Sequence, residues 1–298
     1  MKSLSKIVSI ALGLGAAAIA APAIADDEPT ELARSSQWNV DFAPNKCRLA
    51  AFFGEGEERH LLFFEQFYPS QRAGLTVAGP AFERFRSLRE TMLSFSEEQE
   101  PVSTEPFAGD IPTVGPAIIY SNIGFDPEEG ETEDESESAP TTLPQLDPGL
   151  GNAIEFVSLR QRSREVRLAT GPLGEAFEVL NTCTRDMVRE WGLDVEQHMT
   201  ATRMPEWLNE QEVAMRIARN YPSAALNRGE QAILRMRVIV DTEGRVEQCL
   251  IDEATTTEAL VSPACRQMER AEFTPALDAE GNPFRSFYAT VIVYRING

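Results

Sequence analysis

The first part of the chain contains several short apolar segments that have strand character. Three of them cover 47–53, 61–67 and 74–78, and two more cover 154–159 and 166–169. Polar or glycine-containing breaks separate these segments, a pattern that is typical of β-strands. We expect the five strands to form one small sheet that a loop interrupts between the third and the fourth.

The hydrophobic spacing changes between Leu173 and Trp191, where apolar residues recur every three or four positions. This period predicts an amphipathic helix that ends at Gly192. A second helix is expected from Pro205, a residue type that suits a first helical turn, through Arg219. The apolar side of this second helix carries Trp207, Ala214, Ile217 and Tyr221.

The last part of the chain has the clearest pattern. Residues 233–240 alternate between two faces, and the glycine-containing sequence at 241–244 predicts a tight turn. A return strand at 245–252 completes an antiparallel hairpin, a helix is expected within 260–271, and a third strand over 288–296. Leu234, Met236, Val238 and Val240 share one face of the first strand, and Arg235 and Arg237 lie on the other.

The predicted fold class is therefore α+β. It combines a C-terminal domain that has a three-stranded antiparallel sheet and two helices with a preceding β-rich domain that has a helix. We place the first domain at 26–200, a linker helix at 201–220 and the C-terminal domain at 221–298.

The composition narrows the function classes. With 42% hydrophobic and 25% charged residues, the chain is typical of a globular protein. Its 27 Lys and Arg against 47 Asp and Glu give a formal charge of -20, which repels phosphate backbones, so we expect no nucleic-acid partner. Only two histidines are present, too few for a His-rich zinc site, and we expect neither a metal nor a cofactor.

Acidic residues are concentrated at 126–137, where eight of twelve side chains are carboxylates. Such a run cannot form a core, and prolines at 140, 144 and 148 extend the irregular stretch. We interpret 126–150 as a solvated, disordered insertion in the first domain. The alternative, a calcium loop, lacks the glycine and distal glutamate of an EF-hand.

The first 25 residues have the features of an export signal. Lys2 and Lys6 precede an apolar stretch, and Ala23-Ile24-Ala25 is typical of a cleavage site. We expect cleavage after Ala25 and a periplasmic protein. The alternative is an uncleaved anchor in the inner membrane that faces the periplasm, because residues 7–25 are nearly continuous and apolar. Membrane contact is expected only in that case.

Four cysteines in an exported chain predict two disulfides, for which three connectivities are possible. We prefer Cys249 with Cys265 and Cys47 with Cys183, because this arrangement keeps local partners together. The spacing resembles neither a redox centre nor a four-cysteine zinc site, so the expected role is structural.

The order of elements and turns after about residue 208 resembles the C-terminal domain of the TonB family of periplasmic energy transducers. The motifs that carry the resemblance are Tyr221-Pro222, Asp241-x-x-Gly244-Arg245-Val246, Phe273-x-Pro275-Ala276 and Gly281-x-Pro283. The family implies a non-enzymatic domain that couples an inner-membrane motor to outer-membrane receptors. A short segment of the receptor adds a strand beside the last strand of the domain.

This resemblance implies a partner-binding edge on the last strand, with Tyr221 and Pro222 near the approaching peptide. The strand residues expected to take part are Tyr288, Thr290, Val291, Ile292, Val293 and Tyr294. We therefore predict a periplasmic, non-enzymatic protein that binds a peptide or protein by strand addition.

Two alternative functions remain open. The first is a membrane-anchored energy transducer that drives receptors of the outer membrane, although the chain has no long Pro- and Lys-rich spacer. The second is an exported enzyme whose site lies in the first domain and uses Glu55, Glu57 and His60.

Overall fold

The computed structural model describes residues 29–43, 45–86, 90–126, 140–220, 223, 232–253 and 264–294. The expected export signal, the Tyr221-Pro222 pair and most of the acidic run lie outside the described residues. Within the described ranges, no helix is both long and apolar enough to cross a membrane.

The described strands and helices form the mixed α+β architecture that the sequence predicted. The strands are β1 (Thr30–Ala33), β2 (Asn39–Ala43), β3 (Lys46–Phe53), β4 (His60–Gln66), β5 (Ala73–Ala78), β6 (Thr91–Ser94), β7 (Val102–Thr104), β8 (Phe107–Ile111), β9 (Gly115–Ile123), β10 (Val157–Gln161), β11 (Arg164–Ala169), β12 (Glu206–Trp207), β13 (Ala232–Val240), β14 (Val246–Glu253), β15 (Phe273–Thr274), β16 (Ala276–Leu277), β17 (Pro283–Phe284) and β18 (Ser286–Tyr294). The α-helices are α1 (Pro148–Asn152), α2 (Gly174–Glu190), α3 (Val195–Met199) and α4 (Glu210–Arg219), and residues 264–268 are also helical.

The first part of the chain forms two sheets rather than the single sheet that we expected. The strand order is β2-β3-β4-β5-β9-β8 in the larger sheet and β1-β11-β10-β6-β7 in the smaller one. The predicted strands before the acidic run belong to the larger sheet, and those after it belong to the smaller one. The single-sheet prediction was wrong because a short apolar segment identifies a strand, whereas the choice of strand partners depends on long-range packing.

One hydrophobic core joins both sheets to α2. Leu49 of β3, Leu159 of β10 and Phe177 of α2 all belong to it and are fully buried. The helix ends close to the predicted position, and Gly192 after it has φ +72°, the left-handed conformation common beyond a helix C-terminus.

In contrast to the disordered insertion expected over 126–150, residues 140–150 are ordered. Leu146 is buried in the same core, and its amide donates to the Asn181 side chain of α2 at 2.9 Å. The composition of the segment did not reveal this packing, because it depends on a helix distant in sequence.

A disulfide between Cys47 and Cys183 connects β3 to α2, with the two Cα atoms 6.0 Å apart. It joins positions 136 residues apart in the sequence and is one of the two pairs that we preferred. The same core therefore has a covalent link between its larger sheet and its main helix.

The second predicted helix starts five residues later than expected. Residues 206–207 form β12, which pairs with β15, and α4 begins only at Glu210. Asn209 sets this boundary, because its side-chain oxygen accepts hydrogen bonds from the Trp207 indole at 3.0 Å and from the Glu272 amide at 3.0 Å. The predicted stripe also changes, since Ala214 is exposed. Val213 and Ile217 are the residues of α4 that are buried.

The C-terminal sheet has the predicted three strands in the order β14-β13-β18, all antiparallel. Gly244 has φ +81° in the turn of the hairpin, which explains the need for glycine there. Asp241 stabilises the same turn by accepting hydrogen bonds from the amides of Glu243 and Arg245 at 2.9 and 2.8 Å.

One face of this sheet packs against helices. The alternating residues from Leu234 to Val240 are buried there with Ile217 of α4 and with Met268 of the helical segment 264–268. A disulfide between Cys249 and Cys265 ties β14 to that segment, with the Cα atoms 5.6 Å apart. This is the second preferred pair.

The opposite face of the C-terminal sheet packs against the first part of the chain. Ile239 of β13 and Phe287 of β18 are buried in a third cluster together with Val188 of α2. The Trp191 ring lies 5.2 Å from the ring of Phe287, centroid to centroid. The sheet is thus covered on both faces, and its edges remain as the places where a further strand could add.

Candidate peptide-binding edge

β18 is an edge strand. It pairs with β13 over its whole length, from Ser286 opposite Val240 to Tyr294 opposite Ala232. Among the described residues, no strand pairs with its other side. Such an edge presents a row of N–H and C=O groups to an extended peptide.

Six of the eight residues predicted to bind a partner lie on this strand. They are Tyr288, Thr290, Val291, Ile292, Val293 and Tyr294. The other two, Tyr221 and Pro222, lie outside the described residues. The structure therefore brings the strand residues together at one edge.

The side chains of β18 differ in how far they are available. Tyr288 and Ile292 pack against the helix-side core, which is the cluster between the C-terminal sheet and its helices. Tyr288 lies opposite Val238 of β13, and Ile292 lies opposite Leu234. Val293 is exposed, at 40%. Because packing occupies much of the side-chain surface, the backbone of the outer edge is the main feature that β18 offers to a partner.

Two arginines of β13 attach the sheet to the first part of the chain. The Arg235 guanidinium lies 4.3 Å from the ring centroid of Phe67 and donates a hydrogen bond to the Ser121 carbonyl at 3.3 Å. The Arg237 guanidinium lies 3.8 Å from the ring centroid of Trp191. These are cation–π contacts, and Arg235 is only 5% exposed.

The sequence alone indicates no role for these arginines. Alternating Arg and hydrophobic residues are typical of a strand with one solvent-facing side. The aromatic partners lie on separate elements, so no local signal could have identified them.

His198 of α3 holds the beginning of β18. Its Nδ1 donates to the Asp194 carbonyl at 2.5 Å, and its Nε2 accepts from the Ser286 hydroxyl at 2.9 Å. The ring also stacks on Phe287, with 5.7 Å between centroids. Burial lowers the pKa of His198, an effect that outweighs the opposing hydrogen bond and charge of Asp194. The neutral imidazole thus fixes one end of the edge strand.

A cleft of about 710 Å³ opens beside the first residues of β18. Residues 287–289 form one wall, and the loop 68–72 and the segment 140–145 contribute from the first part of the chain. Residues 204–207 and Glu210 complete the lining. The volume is within the range of ordinary ligand sites, and the cleft lies at the edge where a strand could add.

Aromatic side chains from both parts of the chain meet in this cleft. The Trp207 ring stands edge-on to the Tyr288 ring, with 5.7 Å between centroids. Burial raises the pKa of Tyr68 to about 12. Burial also raises the pKa of Tyr288, and the charge of Glu210 and the nearby Tyr68 raise it further. Both phenols therefore stay neutral at physiological pH.

The part of the chain that contains the C-terminal sheet matches a known protein family. Residues 217–296 match the family model of the Gram-negative bacterial TonB protein C-terminal. Over these residues the chain is similar to the TonB C-terminal domain. The resemblance predicted from the motifs is thereby confirmed, and the match covers the hairpin, the helical segment and β18. A comparison with curated proteins found no match to the chain.

The family that residues 217–296 match has a known general role. The family is non-enzymatic, is associated with outer-membrane transport and interacts with outer-membrane receptors. It also implies a location that faces the periplasm. The first part of the chain has no family assignment from this match.

The three residues of the alternative enzyme site lie in different surroundings. Glu55 and Glu57 are exposed, whereas His60 is 1% exposed, packs edge-on against Phe82 and accepts a hydrogen bond from the Ala81 amide at 3.1 Å. His60 therefore supports the local packing. Within the described ranges, no cluster of three His, Cys, Asp or Glu side chains could hold a metal ion.

Proposed function

We propose that this is a periplasmic, non-enzymatic protein whose TonB domain binds an extended segment of an outer-membrane receptor, or of another periplasmic protein, by strand addition along β18. The observation that carries the proposal is the position of β18 at the edge of the sheet, beside a cleft. Backbone hydrogen bonds to this edge would supply the affinity, and side chains would set the register.

The two edges of the sheet differ in a way that favours β18. The outer strand β14 carries Glu247, Asp252 and Glu253, and charges on an edge strand discourage the addition of another strand. β18 contains no charged residue from Ser286 to Tyr294. Its edge is therefore the one suited to pairing with a partner.

A membrane-anchored energy transducer is the second candidate, and it is favoured by the apolar stretch at 7–25. It shares the partner-binding edge but keeps the N-terminal segment. The mass of the protein isolated from whole cell envelopes, membranes included, discriminates the two. Loss of 25 residues supports the periplasmic protein, and an intact N-terminus supports the anchored transducer.

Proline substitution in β18 tests strand addition directly. Neighbouring residues of a strand point their N–H groups to opposite sides, so Ile292→Pro and Val293→Pro remove one donor toward β13 and one toward the partner side. We expect the variant that loses the outer donor to fold and to lose capture of outer-membrane receptors from a detergent extract.

Val293→Ile is the matched control, since it keeps the N–H and should bind like the parent. Circular dichroism establishes which variants fold. If both proline variants fold and capture receptors as well as the Val293→Ile variant does, strand addition at β18 is refuted.

A further inference from the structure

The cleft beside β18 combines aromatic rings with carboxylates, which strand addition alone does not require. Tyr68 and Tyr288, both half-buried, contribute ring surface beside Trp207, whose ring is stacked on Phe273. Glu206 and Glu210 contribute the carboxylates. Aromatic faces and carboxylates are the two kinds of group that attract a cationic side chain. Their presence in one cleft indicates the chemistry of the ligand.

Glu206 is held in place by its backbone and keeps its side chain exposed. It lies on β12, where its amide donates to the Thr274 hydroxyl at 3.2 Å and the strand pairs with β15. Its side chain is exposed, and the carboxylate makes no ion pair with any residue that the structure describes. The next residue, Trp207, places its ring against Tyr288.

A single basic residue is among the described residues that line the cleft, and its charge reaches Tyr68. This residue is Arg72, and its guanidinium donates to the Asn122 carbonyl at 3.2 Å, in the first part of the chain. The two glutamates outnumber this arginine, and the whole chain has a formal charge of -20. Both the local and the overall charge therefore favour a basic partner.

The segment 140–145, which lines the cleft, is held by backbone hydrogen bonds. The Met204 amide donates to the Pro140 carbonyl at 3.1 Å, and the Leu143 amide donates to the His198 carbonyl at 3.0 Å. These bonds connect 140–145 to the chain that leads into Glu206. Glu206 and the segment 140–145 thus belong to one connected unit, which suits a site of defined shape.

We propose that this cleft binds a lysine or arginine side chain carried by the extended partner segment that adds to β18. The inference rests on the proposed strand addition and deepens it by stating which side chain the partner supplies. The first part of the chain, through Tyr68 and the wall at 140–145, would then help to select the partner of the TonB domain.

The test starts from a random nine-residue peptide library displayed on phage and selected against the full chain purified from the periplasm. We expect the selected peptides to be enriched in Lys or Arg at one position. The best peptide is then synthesised together with its Lys→Gln counterpart, and both affinities are measured by fluorescence polarisation.

Loss of the basic side chain should weaken binding to the parent protein about tenfold. The same peptide pair should differ much less on Glu206→Gln, because the carboxylate that discriminates them is gone. Glu269→Gln is the matched control, since Glu269 is exposed in the same domain and does not line the cleft, and it should behave like the parent.

Backbone N-methylation of the peptide separates this inference from the proposed function. If alternate N-methyl groups abolish binding but no basic residue is selected, strand addition stands and the cation site is overturned. If the basic preference depends on Glu206 but N-methylation has no effect, strand addition fails. The inference is overturned if the Lys→Gln change in the peptide weakens binding equally to the parent protein and to the Glu206→Gln variant. It is also overturned if no peptide is selected at all.

Discussion

Removal of the Cys47–Cys183 disulfide should destabilise the protein more than removal of Cys249–Cys265. The first bond closes a loop of 136 residues and the second a loop of 16. In the chain-entropy model, these lengths correspond to about 5 and about 3 kcal/mol of stabilisation at 25 °C. The expected difference is therefore about 2 kcal/mol, and it arises because the longer loop restricts the unfolded chain more.

Two variants are compared, each with one cysteine pair replaced by alanine. Their unfolding in urea is monitored by tryptophan fluorescence. Trp38 packs on the first core, Trp207 belongs to the helix-side core of the C-terminal sheet, and Trp191 packs at the contact between them. Coincident transitions of these probes would justify a single free energy of unfolding.

The parent protein, unfolded with and without reductant, provides the control for lost packing at the substituted positions. A loss for the short-loop variant that equals or exceeds the loss for the long-loop variant would refute the entropic reasoning. It would show that local packing around each bond, rather than loop length, determines the stabilisation.

Other perturbations test the remaining contacts. Arg237→Ala should lower the free energy of unfolding, measured by urea titration, by about 1–2 kcal/mol, because it removes a cation from an indole face. Arg245→Ala, which removes an exposed ion pair, should have little effect. Burial lowers the pKa of both His60 and His198, so the unfolded state binds protons first as the pH falls below about 6.5. The free energy of unfolding should therefore be highest above that pH and should decline as the pH falls toward the folded-state pKa values. Urea midpoints measured from pH 8 to 5 check this, and His198→Gln should reduce the decline. Deletion of 126–137 should leave the urea midpoint nearly unchanged, because eight repelling carboxylates bury almost no apolar surface, and a large loss of cooperativity would contradict this.

The features that the sequence predicted correctly depend on short-range order. The helix α2 follows from a three- and four-residue period, and the hairpin of β13 and β14 follows from alternation around a turn that needs Gly244. The edge strand β18 was predicted from motifs that match the TonB domain over 217–296. Both cysteine pairs agree with the preferred connectivity.

Features that depend on distant residues were missed. The split of the first five strands into two sheets arises because each strand chooses its neighbours by packing across the core. The late start of α4 depends on Asn209, whose partner Glu272 lies 63 residues away. A local helical pattern contains no information about such a partner.

The candidate site shows the same division. The strand that carries the edge could be identified from its own residues, because alternation and motif order are local properties of the chain. The cleft could not, since it requires Tyr68, Glu206 and Tyr288 to meet from elements far apart in sequence. Arg235 and Arg237 hold the C-terminal sheet against the first part of the chain, because they bind aromatic rings there. Only tertiary packing creates those contacts, because their free energy depends on distances that no residue pattern along one strand encodes.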